Sequence, residues 1–470
     1  MTPEKIVYAL AIVAAYGLLC ATVAWRHRRQ QQAAQRRVAA LLPATPGVPA
    51  WWVAYASQTG QAEELALQTA QVLHTAGVPV RLAPLGQISA ADLAQAERLL
   101  CVASTYGEGD PPDSAAAFAR QVMGAAELSL SHLHVGLLAL GDKTYTHFCG
   151  FGRALDAWLG SRGAQPLFER IEVDKADPEA LQRWRQQLAH LAGTSDLPDW
   201  EAPAMRPWRL SARRHLNPGS TGEPVFHLEL VPEAGEAPDW QAGDLVQIEV
   251  PPAPGAPRDY SIASVPADGA VHLLVRRSRR EDGTPGLASG WLCEGAALGE
   301  TVPLRVRSHA GFRIGDNAQR PLILIGNGSG MAGLRGHLRG RLAAAGHLHE
   351  AASVPRPEAV APAWLLFGER QSACDAHHRE EIDAWARQGW LARVDWVFSR
   401  DQAERRYVQH ALAEAAPTLR EWVQQRGAAI YVCGSLEGIA GDVDRTLQSI
   451  LGEEGLQGLA AEGRYRRDVY

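Results

Sequence analysis

The chain predicts three folded units in series. First comes a doubly wound α/β domain, then an antiparallel β-barrel, then a second α/β domain of nucleotide-binding type, all behind a single N-terminal transmembrane helix. Three observations lead there. The length of 470 residues is that of about three domains. Apolar strands that end in glycine- or hydroxyl-rich turns and run on into helices recur before residue 192 and after residue 320, the pattern of parallel sheets. Between them, Met205–Arg313 alternates short strands with Gly and Pro turns, as a small antiparallel barrel does.

Composition narrows the class. A net charge of −6 argues against a nucleic-acid binder. Cys20, Cys101, Cys149, Cys293, Cys374 and Cys433 are scattered without a C-x-x-C pair, so zinc and iron–sulfur ligation are not expected and no metal site is predicted. No disulfide framework is visible, which fits a reducing compartment. Ile6–Trp25 is uncharged over 20 residues, the length of a bilayer span of ~20. Arg26, Arg28, Arg29, Arg36 and Arg37 follow it, and the positive-inside rule puts the body in the cytoplasm. The expectation is a single-pass inner-membrane protein, with residues 1–28 as anchor and 29–50 as tether. The alternative, a cleaved secretory signal, has its basic residues on the wrong side.

In the first unit, strand Trp51–Ala56 runs into Ser57, Gln58, Thr59, Gly60, Gln61 and Ala62 and then an amphipathic helix to about Ala76. A hydroxyl- and glycine-bearing turn at a helix N-terminus cradles a phosphate, although Ser and Thr are also ordinary helix caps. Val78–Leu82 and Leu99–Ala103 are the next strands. After the latter, Ser104, Thr105, Tyr106, Gly107 and Gly109 make a loop able to wrap a flat ring. Strand Val135–Leu140 leads to Gly141, Asp142, Tyr145, Phe148 and Cys149, a second aromatic loop. His147 and Cys149 read more as packing than as chemistry. Ala164–Val173 is the fifth strand and Asp177–Ala192 the closing helix. Loops at the carboxyl ends of successive parallel strands define one crevice, suited to FMN.

In the barrel, strand Asp244–Val250 and a Pro-rich turn precede Arg258, Asp259, Tyr260 and Ser261. Arginine offers a fork to phosphate, tyrosine a flat face, serine a small hydroxyl; alone, the four also read as a plain strand. Gly286, Leu287, Ala288 and Ser289 open a helix suited to a diphosphate. In the third unit, strand Arg320–Ile325 ends in a glycine-rich turn with Gly328, Ser329 and Gly330. Ala351–Pro362 looks like a loose insertion before strand Trp364–Gly368. After strand Asp395–Phe398, Ser399, Arg400, Arg405, Tyr407 and Gln409 would clasp a second phosphate, the mark of NADPH over NADH; the bland reading is a solvated basic helix. Cys433 closes the last inner strand, either beside a nicotinamide or as a structural thiol. Asp468 and Tyr470 stand at the end of the chain.

Taken in order, these segments resemble the diflavin reductases, which include NADPH–cytochrome reductase and the flavoprotein subunit of assimilatory sulfite reductase. The resemblance covers about residues 51–470. It implies a flavodoxin-like FMN domain (51–192), a hinge (193–207), an FAD-binding barrel (208–318) and an NADPH-binding, ferredoxin reductase-like domain (319–470). It implies that Tyr106 and Tyr145 sandwich the FMN ring. It assigns Arg258, Tyr260, Ser261 and Gly286–Ser289 to FAD. Ser261, Cys433 and Asp468 become the polar set of the hydride path, with Tyr470 stacked on the FAD ring. The match departs from the family at Gln61, where the family usually carries a small or hydroxyl residue, and in the glycine-rich turn, where it usually has Thr near Ser329 and Pro near Gly333. The helical connecting domain that intact members insert into the barrel is missing. The implied activity carries electrons from NADPH through FAD to FMN and on to a one-electron acceptor such as a haem protein. Alternatives are a component of sulfite reduction, membrane-side ferric-chelate reduction, or a non-cycling docking module. Glu108, Asp110, Asp113 and Asp142 either face a basic partner or are solvated loop charges.

Overall fold

The computed structural model describes residues 50–125, 128–193, 204–233, 238–280, 282–435 and 441–469. Three sheets follow one another. The first is parallel, in the order β2 (Val80–Pro84), β1 (Trp51–Ala56), β3 (Arg98–Ser104), β4 (His134–Gly141), β5 (Gln165–Pro166), with β6 (Ile171–Asp174) also on β4. Val135 and Leu137–Leu140 of β4, like Leu99–Ala103 of β3, are buried. Strands so uniformly apolar need helices on both faces. Here α1 (Gln61–Thr75) and α3 (Pro178–Ala192) cover one face through Leu73, Trp184 and Leu188, and α2 (Gly150–Ser161) covers the other through Phe151, Leu155 and Trp158. The expected fifth strand, Ala164–Val173, is in fact the two pieces β5 and β6. Pro166, without an N–H to give the ladder, ends the first piece.

The second sheet is antiparallel, in the order β10 (Ala253–Ser261), β9 (Leu245–Val250), β12 (Thr301–Arg307), β7 (Arg206–His215), β8 (Val225–Pro232), β11 (Val271–Arg276). Its inner faces meet in a core containing Trp208, Trp240, Ile248 and Leu273. The third is parallel, in the order β15 (Leu391–Phe398), β14 (Ala363–Glu369), β13 (Leu322–Asn327), β16 (Ala429–Gly434), β17 (Tyr465–Val469), with α4 (Met331–Ala344) packed on it. All seven residues of β14 and all six of β16 are buried. β17, the edge strand, runs parallel to β16 and sets Asp468 opposite Cys433.

The expected membrane placement is corrected. No helix among the described residues is long and apolar enough to cross a membrane. The longest of them, α1 and α3, have 15 residues each and carry charged outer faces, short of the ~20 apolar residues a span needs. The run Ile6–Trp25, on which the anchor was expected, lies outside the described residues, as do most of the expected hinge and Tyr470.

Candidate functional site

The loop after β1 is drawn tight by its own hydroxyl. Ser57 Oγ accepts from the Gly60 N–H at 2.8 Å, and Gly60 sits at φ 88°, a left-handed conformation that glycine adopts freely. A Cβ there would lie 2.6 Å from the Ser308 carbonyl oxygen, so glycine also lets the barrel approach. The loop after β3 folds back through paired backbone bonds between Tyr106 and Asp110. Thr105 Oγ1 and Tyr106 Oη are buried without a hydrogen bond. The loop after β4 turns at Cys149, a non-glycine at φ 54°, whose Sγ lies 3.3 Å from the Ala139 carbonyl oxygen. Its thiol is buried.

These loops line one cavity of about 650 Å³. Among the expected contacts, Gln58, Thr59, Gln61, Ser104, Thr105, Tyr106, Gly107, Gly141, Asp142, Tyr145, Phe148 and Cys149 all reach it. Ser57 and Gly60 act behind it, shaping the turn. Buried, unsatisfied hydroxyls beside an aromatic ring and a tightened hydroxyl turn fit a phosphorylated flat ring. The cavity does not end at the first sheet. Arg258 and Asp259 of β10, Arg307 of β12 and Asp468 and Val469 of β17 form its far wall.

Two basic residues there were not anticipated. Arg307 Nη1 pairs with Asp259 at 2.7 Å, and its Nη2 lies 3.3 Å from Thr59 Oγ1, so the phosphate turn has a guanidinium from the barrel beside it. Lys175 enters from the loop after β6, where its carbonyl accepts from Gln61 Nε2 at 3.1 Å. Neither belongs to a local motif; only the packing of barrel on flavodoxin-like sheet brings Arg307 in.

The second centre lies at the end of β17. Ser261 Oγ donates to Asp468 Oδ2 at 2.7 Å, and Cys433 Sγ is 3.7 Å from the same oxygen. All three are buried. Burial foremost, then the Asp468 charge, pushes the Cys433 thiol well above its ordinary pKa, so it stays neutral. His309, wholly buried and stacked near Phe312, brings Nδ1 to 3.9 Å from Asp468 Oδ1. It was missed, because nothing in its own segment marks it.

Elsewhere the expected residues divide. Ser278 Oγ sits 2.7 Å from Ser289 Oγ, and a Cβ on Gly286 would lie 2.1 Å from that Ser278 oxygen, so the turn is closed by hydroxyls of its own two arms. Gly328 is at φ 59°, with the Arg276 guanidinium against it, and a Cβ on Gly330 would lie 2.1 Å from the Cys433 carbonyl oxygen, so Gly330 lets backbone pass backbone. Arg400, Arg405 and Tyr407 converge on the surface, where hydrogen bonds from the two guanidinium groups lower the Tyr407 pKa. Gln409 does not join them: its Nε2 donates to Asp442 at 2.8 Å. Ser399 is buried at the end of β15, its N–H on the Glu369 carbonyl.

A parallel sheet with a phosphate-turn crevice, joined to a barrel and a nucleotide-binding sheet, defines a flavin- and nicotinamide-dependent electron carrier. Residues 53–185 match the family described as Flavodoxin, and residues 324–445 that described as Oxidoreductase NAD-binding domain. The chain belongs to the diflavin reductase family, whose flavodoxin half takes FMN and whose other half takes FAD and NADPH. It is similar to the sulfite reductase (NADPH) flavoprotein alpha-component of Neisseria meningitidis, at 28% identity over 88% of each chain. The Bacillus subtilis protein of the same name is 26% identical over 89% of each, and that of Yersinia enterocolitica 28% over 88% of this chain and 89% of its own. The Neisseria alignment spans 548 positions, more than the 470 residues of this chain, so the relative carries sequence that this compact form lacks.

Proposed function

We propose that the chain passes electrons from NADPH through FAD to FMN directly across the shared cavity, and from FMN to a haem-containing acceptor. The continuity of that cavity, from Tyr106 and Tyr145 to Arg258 and Asp468, is the observation that carries the reading. It explains how the chain works without a connecting domain: the flavodoxin crevice already opens on the barrel's Arg258–Ser261 strand.

When bound, the reduced nicotinamide would supply a hydride, and the two flavins would accept it and pass its two electrons on one at a time. The protein positions and insulates. Asp468 accepts from Ser261 and holds the Cys433 thiol nearby, giving a dry polar rim at the hydride end. Cys433, kept neutral, packs there and does not attack. Tyr106 and Tyr145 offer aromatic walls, Ser57–Gln61 a phosphate turn, and Arg307 a countercharge. Arg400, Arg405 and Tyr407 form an exposed cationic clasp for the 2′-phosphate.

Quantifying flavin released from the purified chain tests this. One FMN and one FAD per chain is expected; FAD alone would remove the flavodoxin half from the electron path. The names of the relatives favour a narrower version, in which the acceptor is the haem component of a sulfite reductase. Sulfide formation from sulfite, driven by NADPH in a mixture of this chain with such a component, is its test. No sulfide would exclude that partner and leave the two-flavin path standing.

A further inference from the structure

Arg467 precedes Asp468 on β17, and successive side chains of a strand point to opposite sides. Asp468 turns to Ser261 and Cys433. Arg467 turns to the flavodoxin half. Its Nη2 donates to Asp113 Oδ1 at 2.5 Å, and its guanidinium carbon lies 4.9 Å from the centre of the Tyr106 ring. Its own carbonyl accepts from Gln58 Nε2 at 3.1 Å. Gln58 in turn accepts from the Asp113 N–H at 2.9 Å, so one strand residue ties the phosphate turn and the Tyr106 loop together. From behind, Asp444 Oδ1 stands 3.6 Å from Nη1, and the Tyr465 ring centre lies 5.5 Å from the guanidinium carbon. The side chain is only 20% exposed. A cation held on a cavity-lining aromatic ring, by carboxylates from both halves, is more than a surface ion pair.

We propose that Arg467 is a positioning residue for electron transfer between the two flavins: it docks the Tyr106 loop on the strand that carries Asp468, and its charge draws the electron toward FMN. The second part rests on the placement of FMN beside Tyr106 given above. Reduction adds negative charge to the ring system, and a fixed cation nearby in a poorly solvated site favours that form. The two roles have one source. Arg467 bears on FMN only while the halves are docked, so the bias toward FMN exists when the electron is to cross and lapses when the halves part.

The test uses the full-length, flavin-loaded chain with Arg467→Leu, Arg467→Lys and Asp113→Asn. Arg467→Leu is expected to keep both flavins. It should shift the one-electron equilibrium between them about tenfold away from FMN, about 59 mV, read by spectroelectrochemistry. Amide hydrogen exchange at Gln58–Gly60 and at Asp113–Ala115 should quicken about tenfold, and so should the separation of the halves under the same conditions. Arg467→Lys should recover most of the potential through its charge but little of the exchange protection, having no planar fork. Asp113→Asn should loosen the docking in the same segments from the flavodoxin side. An Arg467→Leu chain that retains FMN with unchanged potential and unchanged exchange overturns the proposal. Absence of FMN from the unsubstituted chain would instead overturn the two-flavin reading on which it rests, so the two failures are distinguishable.

Discussion

The proposed FMN crevice and the proposed hydride end are built in opposite ways. The crevice takes its walls from loops at the carboxyl ends of neighbouring parallel strands β1, β3, β4 and β6, so each wall is one short stretch of sequence. The hydride end has one residue from each of three remote places. Ser261 and Asp468 are 207 positions apart, and Cys433 and Asp468 are 35 apart, yet all meet at one carboxylate oxygen. A parallel sheet makes the first kind of site almost automatically, because every strand end arrives on the same edge. The second kind exists only if β17 docks beside β16 in the right register. The crevice should therefore fail loop by loop, and the hydride end all at once.

Asp468→Ala sets the largest expected effect. Hydride transfer from NADPH to FAD should fall about 100-fold in stopped-flow absorbance, since misplacement of a positioned group by about 1 Å costs that much. Both flavins should remain bound. Loss of FMN together with the rate would mean that the two sites do not stand independently. Ser57→Ala with Thr59→Ala comes next. It removes the hydroxyl that holds Gly60 and the partner of Arg307. FMN affinity should drop about 10- to 100-fold by fluorescence titration while FAD is retained; loss of FAD would mean the two flavin sites are exchanged. Arg400→Ala should raise the KM for NADPH about tenfold and leave that for NADH nearly unchanged, because one guanidinium of the 2′-phosphate clasp is gone. An equal change for both nucleotides would reduce the Arg400–Arg405–Tyr407 cluster to a solvated basic surface.

The smallest effect separates the halves by pH. Every histidine described in the first sheet's half is partly or fully exposed, whereas the other half buries several. Burial pushes His337 down to about 3 and His227 to about 2 from an ordinary 6.5, and His272 to about 4. Below pH 6.5 the unfolded chain takes up protons that these buried rings refuse, so acid favours unfolding. Above 6.5 neither state holds them and their contribution is flat. The barrel and NADPH half should lose about 1.4 kcal/mol per pH unit for each such ring between 6.5 and its folded value. Thermal unfolding at pH 7.5, 6.5 and 5.5, with His337→Gln flattening the slope, checks this. An unchanged slope in His337→Gln would show that another group governs the acid limb.

How much could be read beforehand follows the same division. Ser57–Gln61, Ser104–Gly107 and Gly141–Cys149 were legible because turn chemistry and burial pattern are local. The expected fifth strand was not, since Pro166 splits it within a run whose apolar pattern looks continuous. The set Ser261, Cys433 and Asp468 was reached only through family resemblance; no spacing rule joins them. Arg307, Lys175, His309 and Arg467 were missed altogether. Each works on a segment other than its own, Arg307 on Thr59, His309 beside Asp468, Arg467 on Asp113 and Tyr106.

By itself the sequence determined the kinds of unit and their order: apolar strands that must be covered by helices, alternating strands that must close into a barrel, and hydroxyl and glycine turns shaped for phosphate. Those properties are local, set within a few residues by periodicity and by backbone freedom. The tertiary structure alone decided that the loops of the first sheet and the Arg258 strand line one cavity, that Arg307 of the barrel reaches Thr59, and that one edge strand turns Asp468 to Ser261 and Arg467 to the flavodoxin half. Docking of one sheet's edge on another depends on contacts hundreds of positions apart, and no short window of sequence contains both partners of such a contact.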